Sequence, residues 1–432
     1  MTNTTLQDRI SRFHPAIFSL YAIIASFCTY SCMYAFRKPF AVATFEGILF
    51  LGVNYKTWLL IAQVLGYMLS KFIGIKVIAE RSGRTGRGKW IILLILSAQL
   101  ALLGFALTPA PYNIPFLFLN GFPLGMVWGL VFSFLEGRQT TEMLGAGLSV
   151  SFIFSSGFVK SVGKWVLLSG VSEFWMPFLT GLIFVVPLLL FVWMLEQLPP
   201  PSSKDEELRT HRAPMNAAER IAFVKKFLPG LIALIITYML LTAFRDFRDN
   251  FAAEIWQALG YGESASIFTK TEVPVSLAIL VMMGSVMFIK DNYKALAVNH
   301  LIILAGVMLV GGSTFLFERK IMGPEIWMTL VGMGLYMGYV PYNSIFFDRL
   351  IASFRIVSNV GFLIYLADSF GYLASVGVML FKDFGKPNLS WLDFFVGSGY
   401  VMFAIGGICI LLSMVYFHRE YAAEKASASR KP

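Results

Sequence analysis

Apolar runs about as long as a bilayer-spanning helix recur along the chain, parted by short polar clusters. Twelve are read, at roughly 15–36, 57–79, 90–108, 113–135, 144–168, 174–196, 228–252, 273–289, 295–317, 325–347, 357–381 and 393–417. Polar residues interrupt the eighth and tenth most. One long polar stretch, 199–226, separates the sixth run from the seventh. It opens with Pro199, Pro200 and Pro201, continues through Lys204 and Asp205, and reaches Ala217-Ala218-Glu219-Arg220. That composition predicts a linker carrying one short amphipathic helix on the membrane surface. The pattern thus predicts an all-α membrane protein with twelve transmembrane helices. Residues 1–198 form an N-terminal six-helix bundle, 199–226 a cytoplasmic linker, 227–417 a C-terminal six-helix bundle, and 418–432 a disordered, basic cytoplasmic tail.

Composition agrees. Hydrophobic residues make up 57% of the chain and charged residues only 14%, where a soluble domain carries roughly a quarter. The net charge of +10 is a matter of orientation, not of nucleic-acid binding. Lys and Arg gather at the segments that are cytoplasmic if the N-terminus is: Lys76 near the end of the second run, Arg81, Arg84, Arg87 and Lys89 after it, and six more between Lys204 and Lys226. An even number of spans then leaves both termini in the cytoplasm of a multi-pass inner-membrane protein. The first apolar run is too long for a cleaved signal and lacks a small-residue cleavage site. The cysteines Cys28, Cys32 and Cys409 all fall inside predicted spans and fit neither a disulfide framework nor a zinc site.

The chain repeats itself. Ala35-Phe36-Arg37 recurs as Ala243-Phe244-Arg245. Gly157-Phe158-Val159-Lys160-Ser161-Val162-Gly163 resembles Gly371-Tyr372-Leu373-Ala374-Ser375-Val376-Gly377. More weakly, Phe134-Leu135-Glu136 resembles Phe346-Phe347-Asp348. Three matches in chain order at similar offsets imply two pseudo-symmetric six-helix halves, the plan of major facilitator transporters. After span two, Glu80-Arg81-Ser82-Gly83-Arg84 resembles the Asp-Arg-x-Gly-Arg loop of that superfamily, with Glu for Asp and without the family's preceding glycine. This resemblance implies a cytoplasmic charge network of Glu80, Arg81 and Arg84 that breaks as the halves rock. The plainer reading is a topology-setting basic loop.

Within the superfamily, Tyr34-Ala35-Phe36-Arg37-Lys38-Pro39-Phe40, Ser70-Lys71-Phe72 and Tyr238 followed by Arg245 resemble segments of the organophosphate:phosphate antiporters. The chain is also similar to uncharacterised bacterial membrane proteins grouped only as a domain of unknown function. The antiporter resemblance implies that Arg37 and Arg245 grip a phosphate and that Lys71 supports it electrostatically. A planar guanidinium that cannot lose its charge suits a tetrahedral oxyanion. For Arg37 the competing reading is snorkelling to the headgroups; for Lys71 it is an internal salt bridge. The resemblance departs at helix five. There the antiporters carry a histidine, and this chain has Ser149, Ser151, Ser155 and Ser156 instead. Its histidines, His14, His211, His300 and His418, are none of them deep in a predicted span. Hydroxyls donate to an oxyanion but do not titrate near neutral pH.

Other intramembrane charges are candidates by default. Lys160 adds a cation to an anion site or joins a fixed salt bridge. Asp368 and Glu136 are candidate coupling carboxylates, and Asp368 has Lys160 or Arg245 as possible partners. Asp246, Asp249 and Glu254 follow Arg245 within ten residues and are candidate counter-ions for it, Asp249 at i+4 being favoured on a helix. Tyr34, Tyr238 and Asn343 lie on cavity-lining spans of facilitator proteins. Gly121, Gly125 and Gly129 at four-residue spacing predict close helix contact on span four. No Walker loop, metal-ligand spacing or nucleophile–base pair is present. The chain therefore reads as a monomeric, non-enzymatic transporter with no cofactor, no metal and no nucleic-acid partner, set in membrane lipid. Its expected cargo is a small organic anion, foremost a phosphorylated metabolite exchanged for inorganic phosphate. The alternatives are a proton-coupled carboxylate transporter and a transporter-like sensor of a sugar phosphate.

Overall fold

The computed structural model describes residues 6–80, 86–138, 140–201, 217–354, 360–385 and 388–428. A short α1 (Leu6–Ile10) precedes the long helices α2 (Pro15–Tyr34), α3 (Tyr55–Glu80), α4 (Arg87–Leu107), α5 (Ile114–Phe132), α6 (Thr141–Leu168) and α7 (Met176–Glu196). After the linker come α8 (Ala217–Asn250), a short α9 (Ala252–Ala258), α10 (Ile267–Met287), α11 (Asn292–Glu318), α12 (Pro324–Ser344), a short α13 (Phe346–Ser353) and α14 (Val360–Leu380). The last span is α15 (Trp391–Val401) running through a π turn (Met402–Gly406) into α16 (Gly407–Ala428). Among the described residues, each of the twelve predicted runs overlaps a helix. Among the described residues, nine helices are long and apolar enough to cross a membrane by length and composition alone. The chain is a multi-pass membrane protein. Helices form throughout because lipid offers backbone groups no partner, so each span must bond to itself.

The helix ends follow local chemistry. Pro15 and Pro324 take first-turn positions, where a missing N–H costs nothing. Asp291 caps α11 by accepting from Lys294 N at 2.7 Å, and Ser390 caps α15 by accepting from Asp393 N at 3.0 Å. Inside α8, Phe227 leaves helical geometry (φ −109°, ψ 16°) two residues before Pro229, whose ring cannot continue the hydrogen-bond ladder.

The chain divides into two compact units, Met1–Arg209 with Asp249–Ser276, and Thr210–Arg248 with Leu277–Pro432. In the first, α3 and α5 touch through glycines. A Cβ on Gly66 would stand 2.2 Å from the Phe118 carbonyl oxygen, one on Gly121 would stand 2.2 Å from that of Gln63, and one on Gly125 would stand 2.7 Å from that of Tyr67. Small residues carry such contacts because lipid supplies no hydrophobic drive between helices. The start of α10 lies against α6, where Thr269 Oγ1 donates to Ser161 Oγ at 2.7 Å. In the second unit α11 and α12 meet at Gly306 and Gly334, where a Cβ on either would come within 2.4 Å of the other's carbonyl oxygen. Trp327, fully buried, stacks on Phe317 with ring centroids 3.9 Å apart.

The C-terminal tail departs from expectation. Instead of disordered chain after His418, α16 continues to Ala428. Tyr421 stacks on Tyr293 at 3.8 Å, and Glu424 takes a 2.7 Å bond from Lys226. Side-chain partners from α8 and α11 order a segment whose composition alone does not.

The glycine contacts are directly testable. Gly66→Ala should lower stability by about 1–3 kcal/mol through overpacking. Gly284→Ala, where nothing lies within 4 Å of the added carbon, should leave stability unchanged or raise it. Thermal unfolding in detergent compares the two; equal melting temperatures would refute the close-contact account.

Candidate functional site

In the first unit the site begins where α2 stops. Pro39 opens a 3₁₀ turn (Pro39–Val42), and α2 ends at Tyr34, so Arg37 sits just past the helix instead of within it. A helix end inside a bundle leaves carbonyls without partners. Asn120 of α5 donates to Phe36 O at 2.9 Å and to Ala98 O at 3.1 Å. Gln63 of α3 donates to Arg37 O at 3.0 Å and to Asn120 Oδ1 at 2.9 Å. Both amides are buried. They clamp the turn that carries Arg37. Its guanidinium lies 3.9 Å from the ring centroid of Tyr67, itself buried, so the charge turns into the bundle. Tyr34, also buried, receives the Arg37 and Lys38 amides on its carbonyl at 3.0 and 2.9 Å, and its ring meets that of Tyr30 edge-on at 5.4 Å.

Beside this turn lies a buried charge cluster. Lys38 and Lys160 both reach the Asp249 carboxylate, one on each oxygen, and Ser156 donates to it as well. Lys38 also donates to Asn250 Oδ1 at 3.0 Å. Lys56 donates to Glu254 at 2.6 and 2.8 Å and to Ala41 O at 2.8 Å. Burial pushes the Glu254 carboxyl above its ordinary pKa, with the Lys56 ammonium pulling the other way. The helix-five serines are occupied internally: Ser155 donates to Ser31 Oγ at 2.6 Å, and Ser151 bonds to Leu148 O at 2.5 Å.

In the second unit Arg245 sits on α8. Its carboxylate is Asp246, not Asp249: Nη2 and Nε donate to Asp246 Oδ1 at 2.7 and 3.2 Å. Adjacent helical residues do not face each other. The long arginine reaches round because Tyr339 of α12 holds its plane, with the guanidinium carbon 3.6 Å from the ring centroid. Ser375 of α14 donates to the other Asp246 oxygen at 2.9 Å. Tyr339 stacks on Tyr238 at 5.4 Å. The Tyr238 hydroxyl donates to Asp368 and accepts from Asn343 Nδ2 at 3.1 Å. Close packing allows this: a Cβ on Gly371 would touch Tyr238 and Thr242 at 3.0 Å. The structure thus gathers Tyr238, Arg245, Asn343 and Asp368 into one network.

Other expected positions fall elsewhere. Glu136 lies exposed in the turn after α5, outside the helix. Lys71 and Glu80 lie on α3 with side chains outside the described residues, and Arg81 and Arg84 lie outside them altogether. His300 is buried on α11, bonding to Leu296 O at 2.9 Å and Ser413 at 3.2 Å, a packed core histidine closer to the bundle than its place near a span end suggested. Sequence reasoning named Asp246 among the acids after Arg245 but favoured Asp249, and it gave no role to Lys38, Gln63, Tyr67, Asn120 or Tyr339. An amide in an apolar span was the available signal for Gln63 and Asn120.

Residues 39–420 match a family described only as a family of unknown function, DUF5690. The chain belongs to that family. No curated protein matches it in sequence. Among solved structures it is similar to the peptide transporter POT in complex with sulfate, at 14% identity over 93% of this chain and 95% of that one, with a TM-score of 0.59. It is similar to the nucleoside transporter NupG at 13% identity over 92% and 99%, TM-score 0.57. It is also similar to the partially occluded, inward-open xylose transporter XylE from E. coli, at 14% over 91% and 95%, TM-score 0.57. At such identities the likeness establishes fold: this DUF5690 member has the major facilitator fold, as the internal repeat predicts.

Two substitutions probe the first unit. Asn120→Ala removes the donor to the buried Phe36 carbonyl and should cost about 1–3 kcal/mol. Asp249→Ala leaves two buried ammoniums facing each other and should cost about 3–5 kcal/mol. Melting temperatures check both, and a wild-type melting temperature for Asp249→Ala would show that the cluster contributes nothing.

Proposed function

We propose that this protein is a secondary transporter of an organic anion, working by alternating access, with a phosphorylated metabolite exchanged for inorganic phosphate as the specific form. The observation that carries the reading is that each unit lays one half-buried guanidinium on a tyrosine face, Arg37 on Tyr67 and Arg245 on Tyr339. Stacking fixes the plane of the fork, and a planar fork of fixed charge suits an oxyanion. Asp246 holds Arg245 in the absence of cargo, and an arriving oxyanion takes over its bonds. The fold supports transport: the solved structures it resembles include sugar, nucleoside and peptide transporters. Arg37 and Arg245 are the proposed anion ligands. Lys71 supplies positive potential, and Tyr34, Tyr238 and Asn343 supply polar contacts. Lys160, bound to Asp249, acts through that ion cluster. The inner membrane, with both termini cytoplasmic, is the proposed setting.

One observation favours a second reading, proton-coupled carboxylate uptake. Asp368 is buried on α14 and takes the Tyr238 hydroxyl, one ring away from the tyrosine under Arg245. A carboxylate so placed is a candidate proton carrier.

Counterflow in proteoliposomes decides between them. Labelled phosphate should exchange against internal phosphate without a proton gradient. Arg37→Lys and Arg245→Lys should each weaken binding by about 10–100-fold, the worth of a lost charged bidentate hydrogen bond. Flux that instead requires a pH gradient and is lost in Asp368→Asn would move the assignment to proton coupling. Unchanged affinity in either arginine variant would end the anion reading.

A further inference from the structure

Between α2 and α3 the chain folds into a small hairpin, β1 (Leu49–Phe50) paired with β2 (Val53–Asn54), Leu49 opposite Asn54 and Phe50 opposite Val53. Its two-residue turn, Leu51-Gly52, has φ of +52° and +76°. Positive φ at both positions defines a type I′ turn, for which Asn-Gly and Asp-Gly are favoured. Leucine in that place is strained and has no local hydrogen bond to offer in return. It is also 73% exposed, and Leu49 beside it is 66% exposed. The tip reads Ile48-Leu49-Phe50-Leu51-Gly52-Val53, without a polar side chain. In water this would be an unfavourable tip on two counts, backbone and side chain.

The hairpin is tied to a particular face of α3. Trp58, in the first turns of that helix, donates its indole N–H to Phe50 O at 2.8 Å, and the two rings meet edge-on at 6.1 Å. Leu65, Leu69 and Ile73, at helical spacing below Trp58, are 41–43% exposed. They form one apolar stripe on a helix that the fold sets in a membrane. The hairpin prolongs that stripe beyond the end of the helix, and an indole at the junction marks the depth where tryptophans settle. Glu46, exposed just before the hairpin, is the nearest charged side chain preceding the tip.

We propose that the hairpin tip is a lipid-binding element: Leu49 and Leu51 enter the acyl-chain boundary of the bilayer and anchor the α2–α3 connection to it. The occupant is lipid, because the surface is continuous with a lipid-facing stripe and uncharged at its tip. The anchor fixes the chain between the turn that carries Arg37 and Lys38 and the start of α3, where Lys56 lies.

The test uses full-length protein with Cys28→Ala, Cys32→Ala and Cys409→Ala, carrying an environment-sensitive fluorophore at Leu51→Cys or, for reference, at Glu46→Cys. Both are placed in phosphatidylcholine nanodiscs with shallow nitroxide-labelled lipids. The label at 51 should be blue-shifted, quenched by the lipid nitroxide and shielded from aqueous iodide, while the label at 46 shows the reverse. If Leu51→Cys fails to fold, Leu49→Cys carries the same expectation. Equal iodide quenching at both sites would overturn the proposal. So would a blue shift that the lipid nitroxide leaves untouched and that fades when each nanodisc holds a single copy, since that would identify a second copy as the partner.

Discussion

A polar group inside an apolar bundle must find a partner within the protein, and the architecture described here depends on that constraint. Where the helices run unbroken the backbone satisfies itself. Where α2 breaks ahead of Pro39, two carbonyls are released, and Gln63 and Asn120 arrive from neighbouring helices to take them. The same constraint acts on charge. Lys38 and Lys160 converge on Asp249, Lys56 on Glu254, and Arg245 on Asp246. Removing one member of such a group costs far more than the group is worth intact, because the remaining charge stays buried.

The two arginines share a mode of support. Each rests on a tyrosine ring, which orients the guanidinium and attracts it without consuming its in-plane donors. In the proposed transport cycle Arg245, held partly by a ring, exchanges Asp246 for an incoming anion. Lys160 illustrates the contrast. It is 3% exposed and bound by carboxylate and carbonyl together, the environment of a structural charge.

Glycine governs how closely these groups gather. Backbone approach at Gly66, Gly121, Gly306 and Gly334 draws helices together until short polar side chains span the gap. Gly371 does so where the Tyr238–Asp368 bond forms. Bulkier residues there would separate the hydroxyl from the carboxylate. Packing by small residues and the placement of the polar network are therefore one feature of the second unit.

Apolar periodicity, the internal repeat and composition determined the helical membrane class, the order of the helices and the facilitator fold, because each span is a local solution to backbone satisfaction in lipid. They also marked Arg37, Lys160, Arg245 and Asp368, since a charge within an apolar run stands out without any structure. Partnership was left to the tertiary structure. Helical spacing favoured Asp249 for Arg245, yet Tyr339 on a distant helix turns the guanidinium towards Asp246, while Asp249 meets two lysines 211 and 89 residues earlier in the chain. The amides under Arg37 escaped notice because their targets are main-chain carbonyls, which every sequence contains alike. The ordered tail and the hairpin tip belong with them: both depend on which side chains an adjoining helix presents, and that is settled only when the helices pack.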